Sequence, residues 1–378
     1  MHLHFPIRPR PLIAVLAVAA LLYRPLMAGG PTYSRYGIGD LTLPVGSAGF
    51  AMGMASLAVT GDDVSMLNPA TLHTITRARV WGGFEYAYIS SSDASATSGY
   101  GRGDFQGLAV AIPIDAAHGA VLAAGAGPYS RVLYAINRTE SAGGSEASQV
   151  FRGSGGLSTL SLSGSFRLSP SIVAGAGLQY LYGRIRQIHQ IDFLDPLFTD
   201  SNIDRSWFHS GFFVSGGLIV RNVGTLLGIR RLEALDLGIL YSSPASLDVR
   251  EERLVTSTSF SDTSLVRAGT TRIPSRFGIG AAYVVSERVL LAADVMIQRW
   301  RSANFFSQPN VHMMRDSWRA GAGIEFRPAR DRFAFGDRMY YRLGAAYTTG
   351  NLKLSNQLIS EVMVTAGGTR RTTEISGS

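Results

Sequence analysis

The sequence predicts an all-β protein, a transmembrane antiparallel β-barrel with a small hatch inside its lumen. Apolar and polar residues alternate along many segments, short and long connections between these segments alternate, and only 16% of the 378 residues are charged. Alternation is typical of strands with two different faces. Short turns at one rim and long loops at the other are typical of barrels in an outer membrane.

The first 28 residues have the pattern of a secretory signal peptide. Arg8 and Arg10 precede an unbroken apolar run at 12–22, and the tripeptide LMA at 26–28 offers a small residue for cleavage. The run is too short for a helix that spans a bilayer, which needs about 20 residues. We therefore expect residues 1–28 to be removed and the mature chain to be exported without a transmembrane helix.

Residues 29–78 differ from the rest because their small and apolar residues do not alternate. The segment contains the acidic pair Asp62-Asp63 and the triplet Asn68-Pro69-Ala70. A segment of this length between a signal peptide and a barrel can fold into the lumen as a hatch. The alternative is an extended periplasmic tail, and composition alone does not separate the two.

Residues 79–368 are predicted to form the barrel. We expect long loops at 91–103, 135–155, 186–206, 257–272 and 301–315, because these stretches are rich in Ser, Gly, Asp and Asn. A secreted β-sandwich would explain the alternation but not the two kinds of connection. The twelve predicted strands are 79–90, 104–114, 120–134, 156–168, 171–185, 207–221, 232–256, 273–285, 288–300, 316–327, 338–348 and 354–366.

The polar faces of these strands carry charges that we expect to point into the lumen. They are Arg167, Asp236, Asp294, Arg319, Glu325 and Arg342. The preferred interpretation is that most of them form pairs that hold the lumen together. An arginine among them could instead meet the carboxylate of a ligand.

Glycine and aromatic residues recur together in the strands, as GAGLQY at 175–180, GIGAAY at 278–283, GAGIEF at 321–326 and LGAAY at 343–347. In a strand, Gly-x-Gly leaves two positions on one face without side chains, and the aromatic residue points to the other face. The functional interpretation is an aromatic girdle at the lipid interface. The alternative is ordinary strand composition.

One predicted strand, 120–134, is interrupted by Gly125, Gly127 and Pro128. Proline cannot donate to the strand ladder, and an unsatisfied backbone group in hydrocarbon costs several kcal/mol. Such an interruption is tolerable where the neighbouring strand parts to line a cavity. Alternatively, Pro128 lies above the membrane.

No arrangement of residues predicts catalysis, a metal or a cofactor. The chain has no cysteine and no G-x-S-x-G or H-E-x-x-H motif, and its histidines after residue 28 lie far apart. Its net charge of +8 comes almost entirely from scattered arginines. The preferred interpretation is ordinary surface charge; the alternative is binding of polyanions, and for an exported chain lipid phosphates are then a better match than nucleic acid.

The segment AGFAMGMASLAVTGDDVSMLNPATL at 48–72 resembles the N-terminal hatch of the FadL family of outer-membrane transporters. The stretches YSRYGIGDL at 33–41 and IPSRFGIGAAY at 273–283 resemble a FadL-like subgroup, and the resemblance covers most of residues 31–366. It implies a 14-stranded barrel in a Gram-negative outer membrane, with Asn68, Pro69 and Ala70 in the hatch. It also implies that ligand leaves sideways at a kinked third strand, which is 120–134 here.

The resemblance implies passive uptake of long-chain fatty acids or hydrocarbons by a monomer. The expected partners are outer-membrane lipid and lipopolysaccharide, a hydrophobic small molecule and the barrel-assembly machinery. One alternative is a FadL-like shuttle or attachment subunit of type IX secretion, which binds protein cargo. Another is a plain porin, with an open lumen and residues 31–78 outside it.

The predicted strand count departs from the family by two strands. After the last predicted strand the chain ends in a polar segment, residues 369–378. FadL-type barrels end in a strand that closes on the first one. We therefore expect a C-terminal hairpin to be missing, which leaves the first strand without its usual neighbour.

Overall fold

The computed structural model describes residues 32–61, 63–92, 97–142, 145–195, 197–257, 261–263, 266–307, 313–328, 339–354 and 357–370. The predicted signal peptide and residues 371–378 of the predicted tail lie outside this part of the chain. No helix in the described part is long and apolar enough to cross a membrane.

The described residues form short helical segments and many long strands. The helices are α1 (Ser47–Ala51) and α2 (Val223–Leu227), with 3-10 segments η1 (Thr32–Arg35), η2 (Pro69–Thr74), η3 (Arg230–Leu232) and η4 (Trp300–Ser302). The strands are β1 (Asp40–Leu41), β2 (Arg79–Ser92), β3 (Thr97–Asp115), β4 (Ala120–Pro128), β5 (Ser130–Ala142), β6 (Ser145–Ser169), β7 (Ile172–Phe193), β8 (Ser201–Val220), β9 (Leu235–Ser242), β10 (Ala245–Ser257), β11 (Ser261–Thr263), β12 (Arg267–Ile273), β13 (Arg276–Ser286), β14 (Val289–Gln298), β15 (Ser317–Phe326), β16 (Met339–Leu354) and β17 (Gln357–Arg370).

Sixteen of these strands, β2 to β17, build an antiparallel wall with twelve positions, which we call staves. Three staves consist of two strands in line: β4 with β5 in stave 3, β9 with β10 in stave 7, and β12 with β13 in stave 8. β11 lies beside the upper part of stave 7. The twelve staves match the twelve predicted strands one for one, so the all-β fold class is confirmed.

From β2 to β17, each stave of the wall pairs with the next one. No pairing between β2 and β17 themselves is seen in the described residues. The described residues thus form twelve staves, against the 14 strands that the family resemblance implies. β17 continues to Arg370, two residues past the predicted end of the barrel at 368.

Four of the predicted long loops, 91–103, 135–155, 186–206 and 257–272, are mostly strand in the described residues, which corrects the sequence interpretation. β5 and β6 stay paired up to Ala142 and Ser145, and β7 and β8 stay paired up to Ile191 and Ser201. The Ser- and Asn-rich composition suggested loops because such residues favour turns. A ladder uses backbone groups, however, so polar side chains on both faces are compatible with strands that extend above the membrane.

The outward face of the wall is apolar. Val80 is 73% and Val364 80% exposed, and most other exposed aliphatic side chains of the strands share this face. In water so large an apolar surface would be unusual, whereas a bilayer requires it. The rim with the short turns, such as Ala116–Gly119, is the periplasmic end in barrels of this kind.

Candidate functional site

The described residues before β2, 32–61 and 63–78, lie inside the barrel and are called the hatch. They contact the inward face of the wall where that face carries glycine. A Cβ on Gly217 would lie 1.9 Å from Asn68 Oδ1, and one on Gly175 would lie 2.4 Å from the Ala70 nitrogen. Other inward glycines in similarly close contact with the hatch are Gly238, Gly321, Gly323, Gly344 and Gly367.

These contacts explain the repeated glycine phrases of the sequence. Each inward glycine lets the hatch backbone approach the wall more closely than any side chain would allow. The aromatic residue of each phrase lies on the opposite, outward face, where Phe326 is 44% and Tyr347 38% exposed. The predicted division of faces therefore holds, and the glycine face has a purpose that the sequence did not reveal.

Asn68, Pro69 and Ala70 pack the hatch against β7 and β8. The Asn68 side chain accepts a hydrogen bond from the Ala70 nitrogen at 3.1 Å, which caps η2, and donates to the Leu57 carbonyl at 2.6 Å. Asn68 and Ala70 are fully buried. All three residues lie outside the lining of the large cavity described below.

Two of the predicted lumen charges, Asp294 and Arg319, bind the hatch. Asp294 Oδ2 accepts hydrogen bonds from the backbone nitrogens of Ser56 at 2.5 Å and Leu57 at 2.8 Å. Arg319 donates to the sulfur of Met54 and to Thr348 Oγ1. These side chains connect β14 and β15 to the hatch residues that follow α1.

Glu325 and Arg342 form a buried ion pair between β15 and β16, with Arg342 Nη2 2.6 Å from Glu325 Oε2. Arg327 also contacts Glu325, at 2.5 Å. Glu325 and Arg342 therefore stabilise the lumen side of the wall, and among the six predicted charges they are the two whose described side chains form an ion pair with each other. Arg342 also lines the cavity.

The remaining two predicted charges, Arg167 and Asp236, lie near the short-turn end. Arg167 donates to the carbonyl of Ala117 in the turn between β3 and β4, at 3.1 Å. Asp236 Oδ1 accepts from the Asn222 nitrogen at 2.8 Å. Neither side chain lines the large cavity, and both hold connections between strands.

Two titratable groups of the hatch have shifted pKa values. Burial lowers the pKa of His73 to about 4, and its Nδ1 lies 2.8 Å from the Ala70 carbonyl. Burial raises the pKa of Asp63, although the Ala48 nitrogen donates to its carboxylate at 2.8 Å. His73 is therefore neutral at physiological pH, as a buried imidazole without a counterion must be.

A cavity of about 860 Å³ lies between the hatch and the wall. The hatch contributes mainly apolar side chains to it, whereas the wall contributes both apolar ones, such as Met296 and Leu352, and charged ones of both signs, among them Glu85 and Glu361. The hatch side includes Leu41, Leu43, Val45, Phe50 and Met54, and the wall side includes Trp81, Gln106, Arg131, Arg276, Gln298, Arg319 and Arg342. An apolar surface facing a few fixed polar groups is the usual make-up of a small-molecule site.

Gly125, Gly127 and Pro128 lie where the wall changes partners. β3 pairs with β4 up to Leu108 and Ala126, and no register joins β3 to the described residues of β5 above that point. β6 follows stave 3 through the change, from Pro128–Ser158 to Val132–Gly155. The predicted third strand is thus interrupted at Tyr129, and only one of its neighbours follows it.

The free edge of β5 is taken by the hatch. Asp40 and Leu41 of β1 pair with Arg131 and Ser130, and the Thr42 nitrogen donates to the Tyr129 carbonyl at 2.9 Å. Gly39 has φ +87°, and a Cβ there would lie 2.2 Å from the Arg131 carbonyl oxygen. Only glycine suits this position, where hatch and wall backbones meet.

Arg131 spans the break from β5 to β3. Its guanidinium lies 2.9 Å from Asp104 Oδ2 and donates to the Phe105 carbonyl at 3.0 Å. Both charged side chains are only 16% exposed. Arg131, Asp104 and Arg276 were not predicted as site residues, because partners 27 positions apart and on different strands leave no spacing signal in the sequence.

The comparisons agree with this architecture. The family model described as BamG matches residues 11–369. No curated protein matches the chain significantly. Among solved structures, a Pseudomonas aeruginosa FadL homologue is similar with a TM-score of 0.61 and 12% identity, over 89% of this chain and 88% of that one.

Two hydrocarbon channels are also similar. The Pseudomonas putida toluene transporter TodX has a TM-score of 0.53 at 14% identity, over 88% of this chain and 90% of its own. The monoaromatic hydrocarbon channel CymD has a TM-score of 0.54 at 13% identity, over 87% and 89%. The FadL-type fold expected from the hatch sequence is therefore confirmed, together with the outer-membrane location. The chain belongs to the BamG family, and its fold is that of the FadL-type outer-membrane β-barrels.

Proposed function

We propose that this protein carries small hydrophobic molecules passively across the outer membrane, and that they leave its cavity sideways through the break between β3 and β5. The observation that carries the proposal is a single cavity that is apolar on its hatch side and extends to both edges of that break. Its lining includes Gln106 of β3 and Arg131 of β5, as well as Gly39–Leu41 of the hatch.

The size and the chemistry of the cavity suit an apolar ligand. Its volume of about 860 Å³ lies within the 300–1,000 Å³ that is usual for ligand sites. A ligand that covers Leu41, Leu43 and Phe50 would remove apolar surface from water, at roughly 25 cal/mol per Å². Hydrophobic burial therefore supplies the affinity, without any covalent chemistry.

Two wall arginines favour a ligand that also carries a carboxylate. Arg276 is buried, and its polar contact is a long one to Gln298 Oε1 at 3.4 Å. Among the described residues, neither Arg276 nor Arg319 has an ion-pair partner within 4 Å; Glu361 is an acidic neighbour that acts on Arg319 electrostatically. A fatty-acid carboxylate would give these guanidinium groups the charge-assisted hydrogen bonds that they lack.

Sideways release requires the break to open, and two contacts keep it closed in the structure. β1 occupies the edge of β5, and Arg131 joins β5 to Asp104 and Phe105 of β3. We infer that both contacts give way when ligand leaves. The exit would then open directly into the hydrocarbon region, so that an apolar solute never has to re-enter water.

Binding to the purified chain in detergent tests the ligand class. Native mass spectrometry and quenching of Trp81 and Trp300, which line the cavity, would follow titrations with oleate and toluene. We expect both to bind, and Arg319→Gln to weaken oleate by about tenfold, the usual loss for a charge-assisted hydrogen bond, with toluene unchanged. Arg167→Gln is the control, because Arg167 lies outside the cavity.

Each outcome of this titration has one meaning. Equal weakening of oleate and toluene would reject the carboxylate contact and assign the loss to the hatch, which Arg319 also holds through Met54. A correctly folded chain that binds neither probe would contradict transport of such molecules. Capture of a secreted protein by that empty chain would favour the secretion-shuttle alternative.

A further inference from the structure

The connection between β8 and β9, residues 221–234, differs from the other short-turn connections that the structure describes. The connection from β3 to β4 is a few residues long, and so is the connection from β13 to β14, which is the polar Glu287 and Arg288 with their neighbours. The connection 221–234 instead contains both α2 and η3. It also exposes several apolar side chains, although it lies at the rim that faces the periplasm.

This connection folds over the outside of the barrel. Gly280 and Ala282 of β13 face the lumen, so Tyr283 points outward. The Tyr283 hydroxyl donates to the Arg231 carbonyl at 3.1 Å, and the Val284 nitrogen donates to the Ala234 carbonyl at 3.0 Å. η3 is therefore fixed against the lipid-facing side of stave 8 and does not lie beneath the lumen.

The connection is compact, so its exposed side chains have a fixed direction. The Ile229 nitrogen donates to the Gly224 carbonyl at 2.8 Å, across the left-handed Gly228 at φ +68°. A Cβ on Gly224 would lie 2.2 Å from the Glu233 nitrogen. The two glycines therefore allow a tight turn between α2 and η3.

Three apolar side chains project from α2 and this tight turn, and two arginines follow them in the sequence. Leu226 is 53%, Leu227 62% and Ile229 45% exposed, and the side chains of Arg230 and Arg231 are exposed too. Tyr283, which donates to the Arg231 carbonyl, lies on the outward face of β13 together with Phe277 and Ile279, which are 45% and 49% exposed. The connection is therefore attached to the lipid-facing side of the wall.

We propose that residues 223–232 form an interfacial foot, which inserts Leu226, Leu227 and Ile229 into the periplasmic leaflet and binds lipid phosphates through Arg230 and Arg231. Apolar side chains beside basic ones are the pattern of segments that lie in a membrane interface. Basic side chains near the ends of the hydrophobic zone extend toward the headgroups. The contact of Tyr283 with the foot sets its position, because outward aromatic residues prefer this interface.

A phospholipid leaflet is a better occupant than a protein partner, because the foot is attached to a surface that lipid must already cover. A partner docked at the same place would have to displace that lipid. The foot gives stave 7 an anchor at the level of the headgroups. This inference does not depend on the proposed transport function.

The absence of cysteine from the chain makes the test direct. A nitroxide label on Leu227→Cys, in the full chain reconstituted into phosphatidylglycerol nanodiscs, reports depth through its relative exposure to oxygen and to a water-soluble nickel chelate. We expect low nickel accessibility at Leu227→Cys. The control Glu287→Cys, in the polar turn from β13 to β14, should be several-fold more accessible, since that turn lies in water.

Two results would overturn the proposal. The first is nickel accessibility at Leu227→Cys as high as at Glu287→Cys, which would mean that the foot is in water and free for a protein partner. The second concerns the headgroups: Arg230→Gln with Arg231→Gln should raise accessibility at Leu227→Cys by about twofold or more in phosphatidylglycerol and by less in phosphatidylcholine, as expected for attraction to anionic lipid. Unchanged accessibility in both lipids would reject phosphate binding, since both headgroups carry a phosphate and differ only in net charge.

Discussion

Staves 3 and 7 are both interrupted beside a proline, but only one of the interruptions breaks the wall. Stave 7 changes from β9 to β10 at Ser243-Pro244, and strands cover both of its edges throughout: β8 on one side, β13 and then β12 on the other. Stave 3 changes from β4 to β5 at Tyr129, after Pro128. There β6 continues on one side, while β3 separates and the hatch takes its place.

The difference teaches that proline alone does not open a barrel wall. Near stave 3 it is β3 that departs, with a bulge beside Gly83 and Phe84 and with Gly107 at φ +137°. Bulges bend a strand and end its pairing. Near stave 7, β8 on one side and β13 followed by β12 on the other stay in register with β9 and β10, so pairing continues past the interruption.

The largest effect is expected from Gly39→Val, which attacks the hatch strand at the break. The positive φ and the clash with the Arg131 carbonyl should cost about 1–3 kcal/mol. This cost shifts the equilibrium between attached and detached β1 by roughly tenfold to a hundredfold. We expect faster uptake of oleate and toluene, and ion leakage in planar bilayers.

Gly216→Val is the control for this variant, because nothing lies within 4 Å of a Cβ on that glycine. Unchanged uptake and no leakage in a folded Gly39→Val protein would mean that β1 does not close the break.

The next effect is the pH dependence of the stability of the hatch. His73 of the hatch packs against Gly119, in the turn below stave 3. The pKa of His73 is lowered to about 4, whereas an unfolded histidine titrates near 6.5. Below about pH 6.5 the unfolded hatch binds a proton that the folded hatch excludes, so stability falls as the pH falls toward 4. Between pH 7.5 and 5 we expect a loss of about 2 kcal/mol.

Protease protection of the hatch at the two pH values measures this loss. His73→Gln should remove most of the difference between them. A variant that keeps the full pH dependence would show that another group is responsible.

A smaller effect separates the two prolines directly. Pro128→Val gives stave 3 a backbone donor at the break, and we expect it to lower uptake by about fivefold, in line with the value of one hydrogen bond. Pro244→Val, in the closed wall, should leave uptake unchanged. Equal effects of the two variants would mean that the break at stave 3 is not an exit.

The smallest effect is expected from Arg131→Gln, which removes the ion pair across the break. The pair is mostly buried, and a contribution of about 0.6 kcal/mol corresponds to roughly threefold faster uptake. Arg186→Gln removes a comparable pair with Asp204, across the intact ladder of β7 and β8. A similar change in both variants would assign the effect to loss of stability instead of gating.

The sequence predicted the wall well because the alternation of side chains reports directly which face each residue occupies. All twelve staves were predicted, and β1 was missed because it is too short to alternate. The upper parts of β2, β3 and β5 to β8, together with β11 and β12, were misread as loops, because backbone pairing above the membrane leaves no apolar signature in the sequence.

The site was less predictable than the fold. Pro128 and the triplet Asn68-Pro69-Ala70 could be recognised from the sequence, because proline interrupts a strand and Asn-Pro begins a helix whatever residues lie nearby in space. The pairs Arg131–Asp104 and Arg276–Gln298 depend on which staves become neighbours, and residue spacing does not encode that. The inward glycines were visible as a pattern, but their contact with the hatch backbone was not.

The central claim, that ligand leaves between β3 and β5, can be tested by closing that break covalently. Asp104→Cys with Arg131→Cys, joined by a short bis-methanethiosulfonate cross-linker, should reduce oleate and toluene uptake to the background of cells without the protein. Reduction should restore it. The matched pair Ser246→Cys with Arg272→Cys, neighbours across the closed wall at stave 7, should have no effect when joined. Full uptake with the break completely cross-linked would contradict the account.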